Sequence, residues 1–403
     1  MAVHHYAREV LSVVGASEFR YPALIFILFV FPRFLVRYGI PLAISAFALG
    51  VVSNHVFDAF IRDGTVKLLS SFGIIALFLF AGLEVDIREI RDHLRVLLEH
   101  IVIRIIALLI TTAFIASIFG LNIRAASLLA LALVTPSTGF ILESLETSKL
   151  AQKQKFWIKT KAISVELIAL FVMFVSVKSG TLTELTSSIG IMVGLVLILP
   201  LVFKFFAERI APYAPKSEFG FLVIVATLAG MLTKKLGAYY LIGAFLVGVA
   251  ARRFEESVPA LSSKNTLRSI KVFASFFTPF YFFSAGLGMS KRELSLEALL
   301  LGLAAVLIIA PLRVFLVMLH RKLSLRESFT TSFPIAVSLL PNLVFGLVLA
   351  QILQDVFHIR NEIFGGLIFY TVVVTLIPPI ALKLMPAKAN QPRITPQEIE
   401  IIV

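Results

Sequence analysis

Between about residues 22 and 385 the chain alternates long apolar runs with short polar breaks. Helices that cross a hydrocarbon core need about 20 consecutive apolar residues, which is the length scale of these runs. Taken between charges or proline and glycine breaks, the runs predict thirteen segments: 22–38, 40–54, 66–84, 96–119, 122–146, 156–178, 188–206, 217–235, 237–252, 266–288, 295–319, 326–353 and 361–385. Residues 1–21 read as a short exposed arm and 386–403 as a short tail. The expected fold is an all-α polytopic membrane protein.

The pattern repeats itself. Leu79-Phe80-Ala81-Gly82-Leu83, followed by Arg88, ends the third segment, and Phe283-Ser284-Ala285-Gly286-Leu287, followed by Arg292, ends the tenth, 204 residues later. Seven segments separate the copies. An odd number reverses direction through the bilayer, so this is an inverted-topology repeat of segments one to six and eight to thirteen. Chance similarity is the alternative, because such triplets are common in apolar chains. Nearly the same offset relates two interruptions, Thr135-Pro136-Ser137-Thr138-Gly139 in segment five and Ser338-Leu339-Leu340-Pro341-Asn342 in segment twelve. Proline inside a membrane helix frees a carbonyl, which is tolerated only where protein or a water-filled cavity satisfies it. Two broken helices in matching positions predict an ion site built from hydroxyls, an amide and loose carbonyls.

The next segment carries a single carboxylate, Glu166, within 156–178. Rising about 1.5 Å per residue from Phe156, it reaches roughly 15 Å, near the middle of a core about 30 Å thick. An ionisable group there costs at least about 2.5 to 3.5 kcal/mol and marks a functional site by default. A structural pairing with a buried arginine is the alternative.

Composition agrees with the pattern: 59% of the 403 residues are hydrophobic and 15% charged, against about 25% charged in soluble domains. The net charge of +13 raises nucleic acid as a partner, but the basic residues lie in short loops with no basic face among aromatics. With the N-terminus outside, loops assigned to the cytoplasm hold 24 Lys and Arg against 11 outside, which sets N-out, C-in. Cysteine is absent, so no disulfide or thiolate metal site is expected. No signal peptide, P-loop, zinc-ligand spacing or nucleophile elbow is present, so an enzyme is not expected and no cofactor is implied.

At these residues the chain resembles the monovalent cation:proton antiporter superfamily, in particular its second family, with NapA-like sodium/proton antiporters and Kef-type membrane domains. The resemblance covers about 22–385. Its carriers are Leu77-Phe78-Leu79-Phe80-Ala81-Gly82-Leu83-Glu84, Thr135-Pro136-Ser137-Thr138, Gly243-Ala244-Phe245-Leu246-Val247-Gly248 and Phe277-Thr278-Pro279-Phe280 through Leu287. It implies a fold with two broken crossing helices, a core (96–178 and 295–385), a dimerisation scaffold (22–84 and 217–288) and a linker helix (188–206). Glu166 falls on the second position of the paired-acid motif, which binds sodium and proton in turn. Val165 replaces the first acid, which implies electroneutral exchange. Arg313 falls near the intramembrane lysine, and Pro341-Asn342 stands where many members carry charges.

The expected site is therefore Glu166, transiently holding Na+, with Thr135, Ser137, Thr138, Ser164 and Asn342 as ion or proton ligands and Arg313 and Arg104 as supporting charges. Arg313 either pairs in the core or, about 9 Å from its helix end, snorkels to the interface. Arg104 is equally open. Lys161, about 140° around the helix from Glu166, is not expected to touch it. His93, His100 and His320 sit at expected helix ends, where they tune activity with pH or, more simply, are solvated.

The expected function is sodium (or lithium) exchange against protons, by elevator-like alternating access, in a homodimer of a prokaryotic inner membrane. Potassium/proton exchange, an uncoupled channel or sensor, and an organic-anion symporter are the alternatives. The tail from Ala387 is read as too short for a fused nucleotide-sensing domain.

Overall fold

A computed structural model describes residues 17–57, 60–148, 150–235, 239–253, 261 and 263–384. Residues 1–16 of the expected arm and the tail 386–403 lie outside the described residues. The rest of the arm is helix, since α1 (Ser17–Val36) begins at Ser17.

Each expected segment falls on a helix or a helix pair. After α1 come α2 (Leu42–Val52), α3 (Gly64–Leu83), a short α4 (Ile87–Asp92), α5 (Leu94–Phe119), α6 (Ile123–Val134), α7 (Thr138–Thr147), α8 (Gln152–Lys178) and α9 (Leu182–Phe205). The chain continues with α10 (Glu218–Lys235), α11 (Tyr239–Arg253), α12 (Lys264–Leu287), α13 (Leu296–Leu325), α14 (Phe329–Ser338), α15 (Leu343–Phe357) and α16 (Asn361–Leu384). Among the described residues nine helical stretches are long and apolar enough to cross a membrane, and α14 with α15, bent by 49°, make ten. The other three expected segments are α2 and α11, with 11 and 15 residues, and α10, which carries Glu218, Lys234 and Lys235. The protein is a multi-pass membrane protein.

Two compact units divide the chain, Met1–Gly73 with Ser275–Met289 and Ile74–Ala274 with Ser290–Val403. In the first, Asp63 caps α3 by accepting from the N–H groups of Thr65 and Val66 at 2.9 and 3.0 Å, and it pairs with Arg20. Gly286 of α12 lies directly against the Phe47 carbonyl and Gly50 of α2, where a Cβ has no room. In the second unit Gly82 of α3 lies in the same way against the Phe245 carbonyl and Gly248 of α11. Gly82 and Gly286 are the glycines of the two repeat copies, and segments two and nine exchange when the halves do. The repeat is thus visible as one close helix contact made twice.

The second unit holds the most deeply buried of these helices. Of the α6–α7 window 94% is buried, against 28% for α5 and α13 and 17% for α9, which leaves the outer faces of those three helices apolar and open to lipid. Local signals fix the ends. Asn122 caps α6 by accepting from the Ala125 N–H at 2.9 Å, and Gly120 stops α5 at a φ of 62°, a conformation that glycine adopts without cost. Arg124 donates to the Ser176 and Val177 carbonyls at 2.8 and 2.7 Å, satisfying the last turn of α8 and holding it against the start of α6.

Candidate functional site

The site is built on two helix breaks. The backbone leaves the helix at Thr135–Ser137, between α6 and α7, and at Leu339–Asn342, between α14 and α15. Each break frees carbonyls, and their partners can be followed one by one. Pro136 has no N–H to give to Ala132; the Asn342 side-chain amide donates there instead, at 2.6 Å. The Ser137 N–H turns away from Leu133 to the Pro341 carbonyl of the other break, at 2.8 Å. Leu133 in turn accepts from the Tyr370 hydroxyl at 2.7 Å and from Arg313 Nη1 at 3.2 Å. Arg313 Nη2 donates to the Leu339 carbonyl at 2.9 Å. One guanidinium therefore braces both breaks.

Glu166 is the fifteenth of 27 residues in α8 and is fully buried. Its Oε2 accepts from the Thr138 N–H at 2.9 Å. That N–H opens α7, so the positive end of a ten-residue helix faces the carboxylate. The Thr138 hydroxyl points at the same carboxylate without closing hydrogen-bond geometry. Glu166 Oε1, Thr135 Oγ1, Ser137 Oγ, Thr138 Oγ1 and Asn342 Oδ1 are all buried and unpartnered. Buried oxygens are normally satisfied, so five orphans on Glu166 and on the two breaks, which the Thr138–Glu166, Ser137–Pro341 and Asn342–Ala132 hydrogen bonds join, make this the candidate place for a ligand that oxygen binds.

The remaining expected site residues are placed as follows. Ser164 is buried, but its hydroxyl donates to the Thr160 carbonyl at 2.7 Å, and no hydrogen bond links it to Glu166. Arg313 does not snorkel. Its helix runs to Leu325, twelve residues on, too far for a side chain to reach the interface, and it is 2% exposed. No ion pair with Glu166 is present among the described residues, so the pairing that would have made the carboxylate merely structural is not formed. Arg104 is 5% exposed, with Nε and Nη1 unpartnered. It lines a cavity of about 20 Å³ with Thr135 and Val165, room for about one water.

His93 is half-buried beside Phe156 and Trp157, but the solvated reading fails for the other two histidines. His100 and His320 are each 1% exposed, because α13 continues six residues past its expected end and carries His320 inside. Lys161 is fully buried and bonds His320 Nδ1 at 2.9 Å. Tyr370, whose hydroxyl bonds the freed Leu133 carbonyl, is the bracing residue that the sequence did not single out.

The family described as sodium/hydrogen exchanger, transmembrane, matches residues 23–387. A probable Na+/H+ antiporter 3 of Methanocaldococcus jannaschii is 26% identical over 390 residues, 91% of this chain and 96% of that protein. Two structures of the sodium proton antiporter MjNhaP1 from the same organism share the fold. The one at pH 8 has a TM-score of 0.66 at 13% identity, covering 93% of this chain and 96% of that one. The other, an electron-microscopy map, has a TM-score of 0.62 at 15% identity, covering 95% and 99%.

Proposed function

The chain belongs to the transmembrane sodium/hydrogen exchanger family, and from that premise we propose that Glu166 is the group on which sodium (or lithium) and a proton exchange. One observation carries this reading: the buried carboxylate has one oxygen held by the Thr138 N–H and the other unpartnered, with no cation of the protein paired to it among the described residues.

Exclusive occupancy follows from electrostatics. An empty carboxylate leaves a net negative charge in a low-dielectric site, and simultaneous proton and cation leave a net positive one; both are expensive. Either ligand alone is neutral. Sodium as substrate would lose its water and take oxygens from Glu166, Thr135, Ser137, Thr138 and Asn342, as filters of carbonyl oxygens replace a hydration shell. The backbone brace holds those oxygens apart at fixed spacing before the ion arrives. With Arg313 committed to carbonyls and Val165 in place of an acid, one carboxylate titrates in the site and one proton moves per cation.

Movement of 96–178 and 295–385 past 22–84 and 217–288, with 188–206 as linker, exposes the carboxylate to one side at a time. The assembly is a homodimer in a prokaryotic inner membrane, N-terminus outside and C-terminus cytoplasmic. Proteoliposomes loaded with a pH dye test the reading. Sodium and lithium should each release the quench and potassium should do so weakly. A response to potassium alone would reassign the cation, and no response to any cation would reject exchange.

A further inference from the structure

Arg104 is a buried charge that no carboxylate answers among the described residues. It lies inside α5 (Leu94–Phe119), roughly 15 Å or more from either end, so its side chain reaches neither interface. It is 5% exposed, and its Nε and Nη1 meet no acceptor. Arg313, by contrast, gives Nη1 to the Leu133 carbonyl and the Tyr370 hydroxyl and Nη2 to the Leu339 carbonyl. Glu99, five residues before Arg104 on α5, pairs with Arg95, and Glu166 is turned to the Thr138 N–H. A guanidinium keeps its charge at any working pH, and a buried ion is costly unless it is paired.

The cavity of about 20 Å³ that Arg104 lines lies between α5, α6 and α8, and its other walls are Thr135 and seven aliphatic side chains, among them Val165 and Ala169. Thr135 Oγ1 is buried and unpartnered as well. The polar side chains here offer donors: arginine only donates, and the threonine hydroxyl has one proton to give. A cation is repelled by the guanidinium. A water molecule fits the space but leaves the charge uncompensated. A monatomic anion answers both the donors and the charge. Chloride is only slightly larger than water, whereas sulfate, phosphate and carboxylates carry too many atoms for this volume.

We propose that Arg104 and Thr135 hold a chloride ion in this cavity, beside the exchange site and not itself exchanged. The Thr135 hydroxyl donates its proton to the anion and keeps its oxygen lone pairs, which are what a sodium ion at the first break uses. The chloride thus fixes the direction in which the hydroxyl points. It also cancels the repulsion that the Arg104 charge exerts on an arriving cation. Bound chloride therefore raises the affinity for sodium, and by linkage bound sodium tightens chloride by the same factor.

The anion site stands apart from exchange at Glu166, and only its coupling to sodium rests on that reading. Crystals of the whole protein grown with bromide in place of chloride test the site. One anomalous peak between Arg104 and Thr135 is expected. It should vanish in Arg104→Gln and, should that variant fold poorly, in Ala169→Val, which narrows the cavity without touching either donor. Thermal unfolding at constant sodium gives a second readout: wild type should melt higher in chloride than in gluconate, and both variants should melt alike in the two. The apparent sodium affinity in exchange should fall about five-fold or more when gluconate replaces chloride, the low end for coupled sites. A water in the cavity with no anomalous signal, or equal melting of wild type in the two anions, overturns the proposal. Chloride-dependent melting with unchanged sodium affinity supports the anion site and overturns the coupling. A failure of Glu166→Gln to stop exchange would refute the exchange site and leave the bromide and melting results standing.

Discussion

The Asn342 amide of one broken helix caps the Ala132 carbonyl of the other at 2.6 Å, in place of the hydrogen bond that Pro136 cannot make. Asn342→Ala should leave that carbonyl buried and unsatisfied, at a cost of about 1 to 3 kcal/mol. It should also remove an oxygen from the site. We expect a lower melting temperature together with weaker sodium affinity. Asn342→Asp, which cannot donate when ionised and adds a second carboxylate, should not restore either. Wild-type stability of the alanine variant would show that the cap is dispensable.

Arg313→Lys is predicted to fail although the charge is kept. An ammonium is a point donor, whereas the planar guanidinium reaches Leu133 and Leu339 with different nitrogens. Loss of one charged hydrogen bond costs about 1.5 to 3 kcal/mol. Thermal unfolding and sodium-driven exchange should both suffer. Full activity in the lysine variant would mean that the charge, not the brace, is what the position supplies.

Thr135→Val and Ser137→Ala each delete an unpartnered buried oxygen and leave the carboxylate in place. Sodium affinity should weaken by a few-fold to some tens-fold, equivalent to about 1 to 2 kcal/mol, with maximal rate affected less. Unchanged apparent KM in both would move the cation away from the first break.

Electroneutral exchange makes a separate prediction. The membrane potential is worth about 2.3 kcal/mol per charge per 100 mV, and a cycle that moves no net charge does not feel it. With potassium and valinomycin clamping the potential, sodium-driven exchange should be the same at either sign. Acceleration on reversal, or a current on sodium addition, would reveal a second proton carried per cycle. The buried pair of Lys161 and His320 would then be the first place to look.

Much of this site is legible in the sequence because its features break simple patterns. Glu166 interrupts an apolar run, and Pro136 and Pro341 interrupt two others at nearly equal offset. The cap by Asn342 was within reach of the same logic, since a proline always orphans the carbonyl four residues earlier. Tyr370 was not, because a tyrosine in an apolar helix reads as packing until the carbonyl it serves is located. The burial of His100, His320 and Lys161 was missed for another reason. Hydropathy ends a segment at charged residues, but Arg321 is 1% exposed because Glu327 and Trp157 receive it, and such compensation comes from outside the segment. The end of α13 therefore lies beyond the expected boundary, and His320 with it. The helices themselves were easy, since a bilayer allows an isolated segment little else.

The central claim is that Glu166 holds either a proton or a sodium ion, never both. Proton release on sodium addition measures this directly in weakly buffered, purified protein, without transport or orientation entering. Wild type should release about one proton per chain near neutral pH, with a midpoint that rises as pH falls because the ligands compete. Glu166→Gln, nearly the same shape but unable to exchange a proton, should release none while keeping its fold. Stoichiometric, sodium-dependent release from folded Glu166→Gln would contradict the account.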